Sequence, residues 1–226
     1  MTSPSEYYEE SLYPLQDGVL NTISRSDTDF FLTGGTALSR AYYNHRYSDD
    51  LDFFLNNSRT YGEQMEHVLA SLREGGFVWD IQEDFVRTAN FTSLRVRREG
   101  SDALLKLDFV NDLVPHFGGI QKTDLFCRTD SVRNILSNKL SAVYRYAPKD
   151  VADIWEIARR ETINWTEIIK EAKQKEAGLE ITYVCEILKG MPQREFESIA
   201  WVARPEWAVF CGDIDRIARD MLVGGA

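Results

Sequence analysis

Asp50 and Asp52 stand two residues apart where the chain turns apolar, in Ser48-Asp49-Asp50-Leu51-Asp52-Phe53-Phe54-Leu55. In a strand, residues i and i+2 project from the same face, so the two carboxylates would lie together while Leu51 and Phe53 face inward. Adjacent anions repel, and the pair is costly unless a positive charge sits between them. A divalent cation meets that need, and carboxylate oxygens suit hard Mg²⁺. Alone, such a pair in an acidic chain more often marks the acid-rich turn at a strand's entrance. An EF-hand loop is a poor fit, because the stretch lacks the central glycine and puts apolar residues where ligands belong.

Two further features bear on that choice. Asp108 interrupts the apolar run Leu104-Leu105-Lys106-Leu107-Asp108-Phe109-Val110, with Lys106 on the same strand face. A carboxylate there needs a partner. Either Lys106 and Asp108 form a surface pair or, if this strand lies beside 51–55, Asp108 becomes the third member of an acidic triad. Upstream, Gly34-Gly35-Thr36 follows the apolar Phe30-Phe31-Leu32 and opens a helical segment. Free backbone N–H groups at such a turn can hold phosphate. The spacing is neither that of a P-loop nor that of a dinucleotide fingerprint, and in isolation it reads as a plain glycine turn. The three together match two-metal nucleotidyl transfer. Shared carboxylates hold metals that activate an attacking hydroxyl and stabilise the leaving pyrophosphate.

The elements that must position these groups follow from periodicity. Residues 6–23 read as an amphipathic helix with Tyr8, Leu12, Leu15, Val19 and Ile23 on one face, starting or kinking near Pro14. A short strand over 30–32, a helix over 36–44, a strand over 51–55 and a helix over 61–73 closed by Gly75-Gly76 come next. Strands are expected over 77–88, 91–99 and 103–111, with Glu99-Gly100-Ser101-Asp102 as a hairpin turn. Helices then run over 131–146, 149–161, 164–176, 180–189, 193–200 and 211–221, with Asn164 and Glu167 as a capping pair. The expected class is α+β: a small mixed sheet with helices over 1–127 and a helical portion over 128–226.

Composition sets outer limits. The chain has 226 residues, 43% hydrophobic and 27% charged, which supplies a core and argues against extended disorder. Three cysteines, Cys127, Cys185 and Cys211, are far apart and form no metal-ligand spacing or disulfide framework. The N-terminus lacks a basic region followed by an apolar stretch, and no segment nears the ~20 apolar residues of a membrane span. A cytoplasmic protein with no membrane partner is expected. The net charge of −10 argues against a coat for generic nucleic-acid binding. Residues 128–175 nevertheless hold 10 Lys/Arg against 7 Asp/Glu, a basic stretch that could face anions.

The run from Gly34 to Leu55 resembles the first motif of the nucleotidyltransferase-like AbiEii/AbiGii toxins of type IV toxin–antitoxin and abortive-infection systems. Gly34, Gly35, Thr36, Ala37, Leu38, His45, Arg46, Ser48, Asp50, Leu51, Asp52 and Phe53 carry the match. Lys106 to Val110 is similar to the next motif, and 135–157 to a helical motif containing Lys139, Arg145, Lys149, Asp150 and Asp153. The resemblance covers about residues 30–160. It implies a nucleotidyltransferase (polymerase-beta-like) fold, Mg²⁺-dependent use of an NTP and a cognate antitoxin. It implies that Asp50, Asp52 and Asp108 hold metal and that Asp108 acts as general base. Gly34, Gly35, Thr36 and Ser48 would bind the nucleotide, and Arg46 and Lys139 would neutralise the triphosphate, Lys139 with a catalytic role. Asp150 and Asp153 join the nucleotide site or serve as helix-start charges. His45 either packs at a helix end or acts directly, and His67 and His116 are assigned nothing.

Transfer of an NMP to a hydroxyl of RNA, tRNA or protein is the leading reading. A catalytically weak NTP-binding module that sequesters a partner is the alternative. A metabolic transferase on the same scaffold is a third, from which the His45–Phe54 run points away.

Overall fold

Period-2 alternation becomes a six-stranded sheet in the computed structural model, which describes residues 4–224. The strands are β1 (Phe31–Thr33), β2 (Leu51–Asn56), β3 (Phe77–Val78), β4 (Phe85–Arg87), β5 (Phe91–Arg98) and β6 (Leu105–Asp112). Their order is β1-β2-β6-β5-β3, with β4 also on β5. β2 and β6 run parallel; every other pairing is antiparallel. Leu51, Phe53 and Leu55 of β2 and Leu105, Leu107 and Phe109 of β6 are buried, while the residues between them are half-buried or exposed. One face therefore packs a core, with Phe53 stacked on Phe109 at 5.1 Å, and the other carries the polar residues.

Helices cover the apolar face. A helix begins as α1 (Pro4–Tyr7), passes through a π-helical stretch (Tyr8–Leu12) and continues as α2 (Tyr13–Arg25). Tyr8, Leu12, Leu15, Val19 and Ile23 are all buried, as the periodicity predicts. Pro14 lies in the first turn of α2 and has no N–H to donate, so the wider π register just before it accommodates the proline without ending the helix. A short α3 (Gly34–Thr36) runs on as a π-helical segment (Ala37–Tyr43), and α4 (Tyr61–Glu74) packs against α2. The Tyr61 hydroxyl donates to Thr92 Oγ1 at 2.9 Å and lies 3.1 Å from the Phe109 carbonyl, which fixes α4 to β5 and β6.

One strand expectation is corrected and one turn is lengthened. The single strand over 77–88 is broken, because the Asp80 side chain accepts from the Gln82 and Glu83 N–H groups at 2.7 and 3.4 Å and curls residues 79–84 into a turn. The expected turn at 99–102 joins β5 to antiparallel β6, with the Ser101 N–H donating to the Arg98 carbonyl at 3.1 Å, but the connection is longer. It spans 99–104, with Gly100 at φ +76°, and pairing resumes at Val96–Leu105.

The described residues divide into two units. The first takes those up to Tyr42 with Tyr47–Leu113 and Gly119–Asp130; the second takes Tyr43–Arg46, Val114–Gly118 and those from Ser131 on. The second unit is helical: α5 (Val132–Ser141), a 3₁₀ turn (Val143–Arg145), α6 (Pro148–Arg160), α7 (Trp165–Lys175), α8 (Ile181–Lys189), α9 (Gln193–Ser198) and α10 (Trp207–Gly224). Asn164 caps α7 by accepting from the Glu167 N–H at 3.3 Å. α10 starts earlier than its expected 211 because Trp207 and Phe210 both pack on Phe196, at 5.1 and 4.9 Å.

Candidate active site

Strand register in the first unit brings Asp52 and Asp108 together. Asp52 pairs with Asp108 across the parallel β2–β6 ladder, and Ser93 of β5 pairs with Asp108 on the other side. All three side chains thus belong to the polar face, and Asp50 lies immediately before β2. Asp108 is a hub. Its Oδ1 accepts from the Ser93 hydroxyl at 2.6 Å, and its Oδ2 lies 2.5 Å from Lys106 Nζ. The ion pair with Lys106 exists, and the strand that carries Asp108 lies beside β2. Burial disfavours the Lys106 ammonium, but the Asp108 hydrogen bond and the charges of Asp108, Asp50 and Asp52 outweigh it and raise its pKa.

The glycine turn closes on the same carboxylates. Gly34 has φ +70°, and a Cβ there would collide with Asp52 Oδ2 and lie 3.1 Å from its Cγ. Only glycine admits this approach without strain. The Thr36 hydroxyl is buried and donates to the Asp50 carbonyl, with the Ser48 hydroxyl 2.8 Å away. Gln16 Nε2 donates to the Ser48 carbonyl at 2.9 Å, and the Tyr8 hydroxyl donates to Asp49 Oδ1 at 2.5 Å. Burial, then the Asp49 hydrogen bond, hold the Tyr8 phenol protonated far above the ordinary tyrosine range. The N-terminal helix thus braces the segment that delivers Asp50.

Gly34→Ala is expected to lower activity about a hundredfold, the scale on which a misplacement near 1 Å acts. Its stability cost should be only about 1–3 kcal/mol, the strain of a side chain in the left-handed region. Steady-state kinetics beside urea unfolding separate the two; wild-type turnover in a folded Gly34→Ala protein would remove the turn from the site.

Arg46, Lys139, Asp150 and Asp153 lie in the second unit, gathered in a buried ion network. Asp153 is fully buried and lies 2.8 Å from His45 Nε2, 2.8 Å from both Arg46 Nε and Nη2, and 2.7 Å from Lys139 Nζ. Lys139 also meets Asp150 Oδ1 at 2.6 Å, and Asp150 takes Arg145 Nε at 2.6 Å. Burial opposes both carboxylate charges, but the cations win: Arg46 and Lys139 hold Asp153 well below the ordinary carboxylate range, and Lys139 and Arg145 lower Asp150. The Lys139 pKa is raised, the fields of Asp153 and Asp150 overcoming its burial. Asp150 stands in the first turn of α6, so the dipole reading and the ion network coexist.

Ser93 is the residue that sequence reasoning passed over. Its signal is there in the alternation of 91–98, but only the β5–β6 register turns that alternation into a contact with Asp108.

Hard oxygen donors on one half-buried face, a resident ammonium among them and a glycine admitted only because it lacks a Cβ fit a hydrated divalent cation and phosphate. Among the described residues no three His, Cys, Asp or Glu side chains are gathered as a ready-made metal site.

The fold is that of nucleotidyltransferases. The chain is similar to JHP933 from Helicobacter pylori, with a TM-score of 0.63 at 16% identity, covering 100% of this chain and 94% of that one. It is similar also to MenT4, a nucleotidyltransferase toxin from Mycobacterium tuberculosis, with a TM-score of 0.63 at 17% identity, covering 97% and 86%. The chain belongs to the nucleotidyl transferase AbiEii toxin family of type IV toxin–antitoxin systems, whose model matches residues 19–220. It is thus a nucleotidyltransferase. Comparison with curated proteins returns no significant match. No helix among the described residues is long and apolar enough to cross a membrane.

Proposed function

We propose that the protein is a toxin that moves an NMP from an NTP to a hydroxyl of an RNA acceptor with Mg²⁺, acting in the cytoplasm and restrained by a cognate antitoxin. The pairing of Asp52 with Asp108 across parallel strands, closed over by the Gly34 turn, carries this reading. Asp50, Asp52 and Asp108 would hold the metal, which when bound stabilises charge on the triphosphate. Asp108 takes the acceptor hydroxyl's proton as that oxygen bonds the α-phosphorus and pyrophosphate leaves. The backbone N–H groups at Gly34, Gly35 and Thr36 face phosphate, and Ser48 orders this turn through Thr36. Arg46 and Lys139, expected to neutralise the triphosphate, are buried in the second unit with Asp153 and Asp150 as their counter-ions.

The acceptor assignment rests on β5. Arg95 pairs with Lys106 and shares the face of Ser93, and Arg97 follows it; both are exposed. A row of cations beside the carboxylates suits a polyanion even on a chain of net charge −10. The test is incubation with Mg²⁺, each α-labelled NTP in turn and total bacterial RNA. Label on RNA, absent with Asp50→Ala, is the expected result. Label on protein would replace the acceptor with a protein hydroxyl. No label despite NTP binding would leave a sequestering module in place of the enzyme.

A further inference from the structure

Lys106 stands where a nucleotidyl-transfer site has most use for a removable charge. Its Nζ is 2.5 Å from Asp108 Oδ2, and the side chain remains 36% exposed, so the ammonium has a route off the carboxylate. The β2–β6 register pairs Leu51 with Leu107 and Asp52 with Asp108. Asp50 lies immediately before β2, and Lys106 lies on β6 two residues before Asp108. The ammonium therefore lies against Asp108, which pairs with Asp52 across the ladder, and the charges of Asp50 and Asp52 favour it as well. Three like charges on a half-buried face repel unless a cation is present. Lys106 supplies one through the chain itself.

Resting on the reading above that this face holds metal, we propose that Lys106 is a built-in counter-ion whose ammonium neutralises the carboxylates while metal is absent and is displaced from Asp108 when a divalent cation binds. A lysine suits this task better than an arginine. Its charge is a compact point on a flexible stem, whereas a guanidinium would fork onto the carboxylate and stay. The metal must break the Lys106–Asp108 ion pair and tolerate a tethered like charge nearby, so the affinity of the face for metal is set below what its carboxylates alone would give. A lysine that merely braced the strand would have the opposite signature: its loss would loosen the carboxylates and weaken metal binding.

Calorimetric titration of the nucleotide-free full chain with Mn²⁺ decides between them. Lys106→Met keeps the stem and removes the charge, and is expected to bind Mn²⁺ about fivefold more tightly than wild type, the upper scale of one partly exposed ion pair. Lys106→Gln should tighten likewise, and guards against a folding fault peculiar to the first variant. Lys106→Arg, which keeps the charge, should not tighten. Unchanged or weaker affinity in folded Lys106→Met and Lys106→Gln overturns the counter-ion proposal and leaves the metal site standing. No saturable Mn²⁺ binding in any form, or binding that persists undiminished in Asp52→Asn, overturns the site assignment and the proposal together.

Discussion

Asp52→Asn lowers nucleotidyl transfer by about a thousandfold or more and leaves the fold as stable as wild type: this is the expected result with the largest effect on activity. Asparagine matches the shape of aspartate and keeps one acceptor oxygen, so the close approach of Gly34 is undisturbed. What disappears is a charge. Asp52 is half-buried and has Asp108 as its direct neighbour across the ladder, with Asp50 two residues before it. Removing the charge relieves repulsion from Asp108 and weakens the attraction to Lys106, two changes that largely offset, so stability should stay close to wild type. Activity goes the other way. A carboxylate that holds metal at the reacting phosphate contributes several kcal/mol to the transition state, and each ~1.4 kcal/mol is tenfold in rate. Pyrophosphate release measured beside thermal unfolding checks both halves. A folded Asp52→Asn protein with more than a tenth of wild-type turnover would remove Asp52 from the chemistry.

The largest effect on stability is expected in the second unit, at Asp153. Its carboxylate has no exposure and gathers His45, both forks of Arg46 and Lys139. Two of these partners are themselves cations with 2% and 8% side-chain exposure. Asp153→Ala leaves the Arg46 guanidinium and part of the Lys139 charge buried without their counter-ion. Breaking a buried pair from one side costs about 3–5 kcal/mol, far more than such a pair adds relative to an apolar replacement. Urea unfolding should show that loss, and a loss below about 1 kcal/mol would mean that the network relaxes freely.

The pH dependence follows from the same charges. The folded pKa of Asp153 is depressed, so its contribution is complete above the unfolded carboxylate pKa and is lost as pH falls from about 4 through the folded value. The folded pKa of Lys139 is raised, so its contribution is complete below the ordinary lysine pKa and fades as pH climbs through the folded value. Wild-type stability should therefore be flat across neutral pH and fall at the acid end, and Asp153→Ala should show a shallower acid fall.

Local chemistry was legible because it is local. Gly34-Gly35-Thr36 and the Asp50/Asp52 spacing could be read directly, since a turn needing positive φ and a two-residue strand period depend only on neighbours. The buried stripe from Tyr8 to Ile23 and the alternation of 51–56 and 105–112 were visible for the same reason. The break in 77–88 was missed because the Asp80 side chain competes with the strand for backbone N–H groups, and apolar alternation does not register that competition.

Sequence by itself thus determined the family, the α+β character and the presence of carboxylates on and just before two strands, with a glycine turn. Tertiary structure alone decided what those carboxylates meet. Asp108 becomes a partner of Asp52 only through parallel pairing between strands distant in sequence, and Ser93 becomes its donor only through the antiparallel register on the other side. Likewise, nothing along the chain reveals that Asp153 would be buried among His45, Arg46 and Lys139. Periodicity says which face of an element turns inward; which charges meet there is fixed by packing, because an ion is buried only where its counter-charges converge.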